Sequence, residues 1–170
     1  MAAAAYKVML LGEIGVGKSS LARRVVFDRF SKDYKPTIGV EVYRYNVALG
    51  DAGTETSLIL WDTDGNFGDA IFRHVYIKQA SAAFIVGDQS RPETIDSMIR
   101  LAKGFGDVFP GRFIHFILNK SDLIDARSGA ALEERLGRGG MKVTHTSALL
   151  GDQVAQAFIT TAQEIVRRDC

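Results

Sequence analysis

The chain has 170 residues, enough for one domain, expected over residues 1–170, with a sizeable core. Its apolar fraction of 46%, charged fraction of 24% and formal net charge of +1 are those of an ordinary globular protein and give no electrostatic case for a nucleic-acid binder. No apolar run reaches membrane-spanning length, Met1 to Ala5 lacks the charged start and long apolar core of a signal peptide, and Cys170 is the one cysteine, so no intrachain disulfide is expected.

Tyr6 to Leu11 reads as a buried strand, and Ser20 to Phe27 as an amphipathic helix. Between them lies Gly12-Glu13-Ile14-Gly15-Val16-Gly17-Lys18-Ser19, of the form G-x-x-x-x-G-K-S. Strand, glycine-rich loop and helix is the context in which backbone N–H groups and a helix N-terminus face a polyphosphate. In that arrangement the loop from Glu13 through Ser20 cradles phosphates. Lys18 brings a compact positive charge to the terminal ones, and Ser19 offers a hydroxyl to Mg²⁺. At Gly17 a Cβ is expected to block close approach of the backbone.

Phe30 to Gly39 is polar and reads as a loop. Val40 to Leu49 alternates through Val40, Val42, Tyr45, Val47 and Leu49 as a strand, Gly50 to Gly53 is a turn, and Ser57 to Trp61 is the partner of a hairpin. Asp62 to Phe67 is loop-like, and Ala70 to Gln79 can form a helix with Ile71, Val75 and Lys78 along one side. Ala82 to Gly87 is a core strand. Pro92 sits where a first helical residue would, and that helix runs to about Gly106. Phe113 to Leu118 is a strand, Ala130 to Leu136 a short helix, Lys142 to His145 a last strand and Asp152 to Arg168 a closing amphipathic helix. Alternating strands and helices, with most strands apolar on both faces, predict an α/β fold: a mostly parallel six-stranded sheet with one antiparallel edge strand and helices on both faces.

In such a sheet the ligand lies beyond the carboxyl ends of the strands, so the polar stretches there are the candidates for chemistry. Asp62-Thr63-Asp64-Gly65 offers a carboxylate that can hold Mg²⁺ through water and a glycine N–H for a γ-phosphate. In Asn119-Lys120-Ser121-Asp122 the Asp122 carboxylate can accept from both N1–H and the exocyclic amine of guanine, and the Lys120 stem can lie along the purine. Adenine lacks that donor pair, and a site built on such hydrogen bonds discriminates by about 10⁴ or more. Thr146-Ser147-Ala148-Leu149 is small enough to bring a backbone N–H to the base oxygen.

The order G-x-x-x-x-G-K-S, P-T, W-D-T-x-G, N-K-x-D and T-S-A resembles the small GTPases of the Ras superfamily, from Tyr6 to about Arg168. Thr37 to Glu41 and Trp61 to Thr63 look most like the Rab branch. The resemblance implies a P-loop NTPase fold of the Ras-like G-domain type that binds GTP or GDP with Mg²⁺ and hydrolyses GTP slowly. It makes Tyr34 to Gly39 a first switch, with Thr37 on Mg²⁺ and the γ-phosphate, and Asp62 to about Tyr76 a second. Phe30 then packs on the edge of the guanine, and Tyr34, Leu123, Ser147, Ala148 and Leu149 join Asn119, Lys120 and Asp122 around the nucleotide. Ser19, Thr37 and, through water, Asp62 form the metal set. Lys18, Thr37, Gly65 and Asn66 form the catalytic set. The implied partners are effectors, exchange factors and GTPase-activating proteins that meet a monomer at its switches.

The chain departs from the family pattern in several places. Asn66 stands where active members carry Gln, and its amide is one methylene short for orienting water. Asp64 replaces Ala and adds negative charge near a phosphate; Phe67 replaces an acidic residue; Leu149 replaces a Lys beside the base; Ile14 fills a position often Gly. Val42 replaces one of three aromatics of the Rab effector surface, while Trp61 and Tyr76 keep the other two. Arg167-Arg168-Asp169-Cys170 is neither a C-a-a-X box nor a paired-cysteine tail, and Ala2 excludes myristoylation. The expected location is the cytoplasm, with peripheral membrane contact through a partner as the alternative. The competing function is a hydrolysis-impaired module that works by protein interaction; a small-metabolite kinase is disfavoured by Asn119 to Asp122. His74, His115 and His145 lack metal-ligand spacing, and Arg23-Arg24 reads as a solvated helix face.

Overall fold

A computed structural model describes residues 3–33, 35–50, 53–137 and 139–169. Tyr34 and Cys170, and with them the expectations placed on those side chains, lie outside the described residues. The strands are β1 (Ala5–Leu11), β2 (Val40–Leu49), β3 (Thr54–Thr63), β4 (Ala82–Asp88), β5 (Phe113–Asn119) and β6 (Lys142–His145). The helices are α1 (Lys18–Phe27), α2 (Glu93–Val108), α3 (Ala126–Arg135) and α4 (Val154–Asp169).

The strands form one six-stranded sheet in the order β2-β3-β1-β4-β5-β6. All neighbours are parallel except β2 and β3, so the antiparallel edge strand is where the hairpin puts it. Alternation along the strands feeds two cores. Val8, Leu10, Phe84, Val86 and Ile117 pack with Leu21 of α1 and Phe158 and Ile165 of α4. Met9, Leu11, Ile85, Phe116 and Leu118 pack on the other face with Ile95, Met98 and Phe105 of α2 and Leu132 of α3. Burying both faces explains why these strands read as continuous apolar runs.

Four local expectations are corrected. β3 is longer than Ser57 to Trp61: its pairing with β2 runs on through Glu41 opposite Asp62 and Val40 opposite Thr63, so Asp62 and Thr63 are buried strand residues rather than loop. Val40 and Val42 do not share a face with Tyr45, Val47 and Leu49. Tyr43 takes the core side and Val42 stays exposed, because side chains alternate with a period of two. The helix over Ala70 to Gln79 is absent; 3₁₀ turns cover Gly65–Arg73 and Val75–Ile77, interrupted at Gly68 (φ 46°, ψ −135°) and at extended His74. In that tighter path Ile71 and Ile77 are the buried anchors, and Lys78 is exposed. α3 begins at Ala126, earlier than expected, because Asp125 caps it by accepting from the Ser128 N–H at 2.7 Å.

Candidate nucleotide site

The loops after β1, β3, β5 and β6 meet at the carboxyl edge of the sheet around a cleft of about 380 Å³. Ile14, Gly15, Gly17, Lys18, Ser19, Ser20, Phe30, Thr37, Gly65, Asn119, Lys120, Asp122, Leu123, Ala148 and Leu149 line it. Glu13, Val16, Asn66 and Ser147 do not appear among the lining side chains and main chain. Val16 is buried in the core, and the Glu13 carboxylate turns toward α2, where the Ser97 hydroxyl donates to it. Any part these two residues take in ligand binding falls to their backbone.

Lys18 is buried, and its Nζ donates to the carbonyls of Gly12 (2.8 Å) and Glu13 (2.9 Å). Burial pushes this ammonium down to about 8, against the pull of Asp62 and Asp64, with Arg91 adding to the lowering. Gly17 has φ 105°, and a Cβ there would strike the Asn119 side-chain amide. The glycine is therefore required by a neighbouring loop as well as by its backbone conformation, a reason the motif alone does not give.

Asn119 joins three loops. Its Nδ2 donates to the Val16 carbonyl at 3.0 Å, and its Oδ1 accepts from the Thr146 hydroxyl at 2.9 Å and the Ala148 N–H at 3.3 Å. These three bonds fix the side chain in the cleft wall and leave the second N–H of its amide for a ligand. Asp122 is exposed and held by the Ser147 hydroxyl, which donates to its Oδ1 at 2.7 Å. Ser147 acts behind the carboxylate, consistent with its absence from the cleft wall. Arg24, read from sequence as a solvated side chain, donates from Nε to the Ala148 carbonyl (2.8 Å) and from Nη2 to that of Leu149 (2.6 Å), fixing the last loop to α1. Nothing in the local pattern separates Arg24 from its neighbour Arg23, because its acceptors lie on a loop 124 and 125 residues away.

The oxygens of Ser19, Thr37 and Asp62 converge. The Ser19 and Thr37 hydroxyls are 2.7 Å apart, and the Ser19 hydroxyl donates to Asp62 Oδ2. Asp62 is fully buried, and its Oδ1 has no hydrogen-bond partner among the described residues. Burial pushes this carboxyl up, while the Ser19 hydroxyl and Lys18 pull it down. A buried carboxylate oxygen without a partner, beside two hydroxyls and no nitrogen or sulfur ligand, is a hard-oxygen set of the kind Mg²⁺ takes.

The second polar loop abuts the first. A Cβ on Gly65 would collide with the Ile14 backbone, so this glycine presses directly on the phosphate loop. Asp64 accepts from the Asn66 N–H at 2.8 Å and donates its own N–H to the Gly39 carbonyl at 2.8 Å, tying the loop after β3 to the segment before β2. Asn66 is exposed. Beyond the cleft, Val42 pairs across the strands with Trp61, and Trp61 leans on Tyr76 with ring centroids 6.3 Å apart. Tyr76 in turn stacks on His74 at 4.1 Å and touches Phe67 at 6.1 Å.

The Ras family model matches residues 7–167. This chain belongs to the Ras family. Human Ras-related protein Rab-25 is 34% identical over 163 residues, covering 94% of this chain and 76% of that protein. Human Ras-related protein Rab-17 is 34% identical over 170 residues, covering 96% and 77%. Mouse Ras-related protein Rab-32 is 40% identical over 95 residues, covering 56% and 42%. The chain is thus a GTP-binding small GTPase of the Rab branch. Its sheet, mostly parallel with one antiparallel pair, is that of a Ras-like G domain. No helix among the described residues is long and apolar enough to cross a membrane.

Proposed function

We propose that this Rab-branch GTPase, a single G domain over residues 1–170, is a Mg²⁺-dependent switch that hydrolyses GTP slowly and signals through its two switch loops. The observation that carries the reading is the meeting of Ser19, Thr37 and the unpartnered Asp62 oxygen beside Lys18. Ser19 and Thr37, with Asp62 through water, would hold Mg²⁺, which supplies neutralisation of phosphate charge. Lys18 neutralises the terminal phosphates, and the N–H of Gly65 and the hydroxyl of Thr37 meet the γ-phosphate. Asp122 reads guanine, Lys120 and Phe30 flank the base, and Leu149 covers it. A water attacks the γ-phosphate in line; the phosphate leaves, the contacts of Thr37 and Gly65 go with it, and both loops relax.

Slow turnover follows from the neighbours of that water. Asn66 is exposed and its N–H is held by Asp64, so its short amide is poorly placed to orient a nucleophile. Asp64 lines the cleft and adds negative charge where charge accumulates. The effector face is the exposed Val42 with Trp61 and Tyr76, flanked by Ile38, 89% of whose surface is open. The protein works as a monomer in the cytoplasm and meets exchange factors, GTPase-activating proteins and effectors there. Single-turnover hydrolysis of GTP with Mg²⁺ tests the reading. A slow, measurable rate that a cell extract accelerates supports a cycling switch. Stable GTP with no acceleration would replace it with the interaction module.

A further inference from the structure

Asp88 ends β4 with a carboxylate that is 1% exposed. Its Oδ1 accepts from the Ser90 N–H at 2.8 Å and the Ser90 hydroxyl at 2.6 Å. Its Oδ2 pairs with Lys120 Nζ at 2.8 Å and Arg91 Nε at 3.1 Å. Burial alone would raise this carboxyl, but the bonds from Lys120, Ser90 and Arg91 hold it below the usual carboxylate range. Arg91 has a second acceptor: its Nη2 donates to the carbonyl of Ile14 at 2.8 Å, across 77 residues of sequence. One guanidinium therefore joins the phosphate loop to the carboxylate that holds the base-side lysine. Ile14 is also the residue on which Gly65 presses, at the end of the cleft where Lys18 and Gly65 would meet a terminal phosphate.

We propose that Arg91 is a positioning residue that tunes the site toward the triphosphate. It fixes the Ile14 carbonyl, couples that placement to Lys120 through Asp88, and adds a cation near the terminal-phosphate end. The planar fork of arginine reaches two acceptors at once; a lysine is a point charge and serves one. If Arg91 only neutralised Asp88, its loss would weaken diphosphate and triphosphate alike. The proposal rests on the guanine-nucleotide reading above.

The test is the affinity of wild type, Arg91→Ala and Arg91→Lys for GDP and for a non-hydrolysable GTP analogue, with thermal midpoints. Arg91→Ala is expected to weaken the triphosphate analogue about tenfold more than GDP. Arg91→Lys is expected to recover the thermal midpoint and GDP affinity but not the triphosphate preference. Should Arg91→Ala not fold, Arg91→Lys alone carries the comparison. Equal weakening of both nucleotides by Arg91→Ala, full recovery by Arg91→Lys, or no effect of either overturns the role of Arg91. A wild type that binds neither nucleotide overturns the guanine-nucleotide reading itself.

Discussion

The side-chain amide of Asn119 donates to the carbonyl of Val16 across 3.0 Å, so the base-side loop holds the phosphate loop from behind. Thr146 and Ala148 complete the tie at the other end of the same amide. Asn119→Ala leaves these buried groups unpaired, at about 1–3 kcal/mol for each. We expect GDP affinity to fall by at least about tenfold with the sheet intact, as read by nucleotide titration and circular dichroism. Unchanged affinity would remove Asn119 from the positioning role.

Lys18 sets a pH dependence for binding. In the free protein burial holds its ammonium at about 8, and a polyphosphate needs the charged form. The fraction of protein ready to bind is thus high below pH 8 and falls as pH rises above it. GDP affinity is expected to drop between pH 7 and 9, by at most about tenfold per unit at the upper end. A flat titration over that range would contradict the buried-lysine description.

How much of this could be read beforehand varied with how local the cause was. The loops after β1 and β5 and the extent of β2 were legible because each is one contiguous stretch whose composition carries its geometry. Asp62 was not readable as a strand residue, since only the β2 register shows that the ladder continues past Trp61. The turns after Gly65 misread as a helix because Ile71, Val75 and Lys78 mimic helical spacing, while the chain turns extended at His74 between two 3₁₀ segments. Arg24 and Arg91 were invisible because each is defined by carbonyl acceptors 77 or more residues away.

His115 makes acid unfolding predictable. It is fully buried in β5, with Nδ1 2.9 Å from the Thr161 hydroxyl and Nε2 2.7 Å from that of Thr144. Burial, with a smaller push from Lys142, lowers its pKa from 6.5 to about 3. Between those values the unfolded chain binds the extra proton, so stability falls as pH drops from 6.5 toward 3. The slope from this group is at most about 1.4 kcal/mol per pH unit. Urea unfolding from pH 7 to 4.5 is expected to show a shallower slope in His115→Leu than in wild type, although the variant is less stable overall. Parallel slopes would rule out the neutral buried imidazole.

Asp64 and Asn66 are the local reasons given for slow turnover. Asp64→Ala with Asn66→Gln removes the extra charge and restores the longer amide. The double variant is expected to hydrolyse GTP faster than wild type, whose rate should lie at or below about 10⁻⁴ s⁻¹. A double variant no faster, with GTP binding equal, would contradict the impaired-site argument.

The most direct test of guanine-nucleotide binding is competition of GDP and ADP for the wild-type protein in Mg²⁺ buffer. Asp122, held by Ser147, presents a carboxylate that guanine satisfies with two donors and adenine does not. GDP is expected to bind about 10⁴-fold or more tighter than ADP. Equal affinity for the two nucleotides would contradict the assignment of this cleft to guanine.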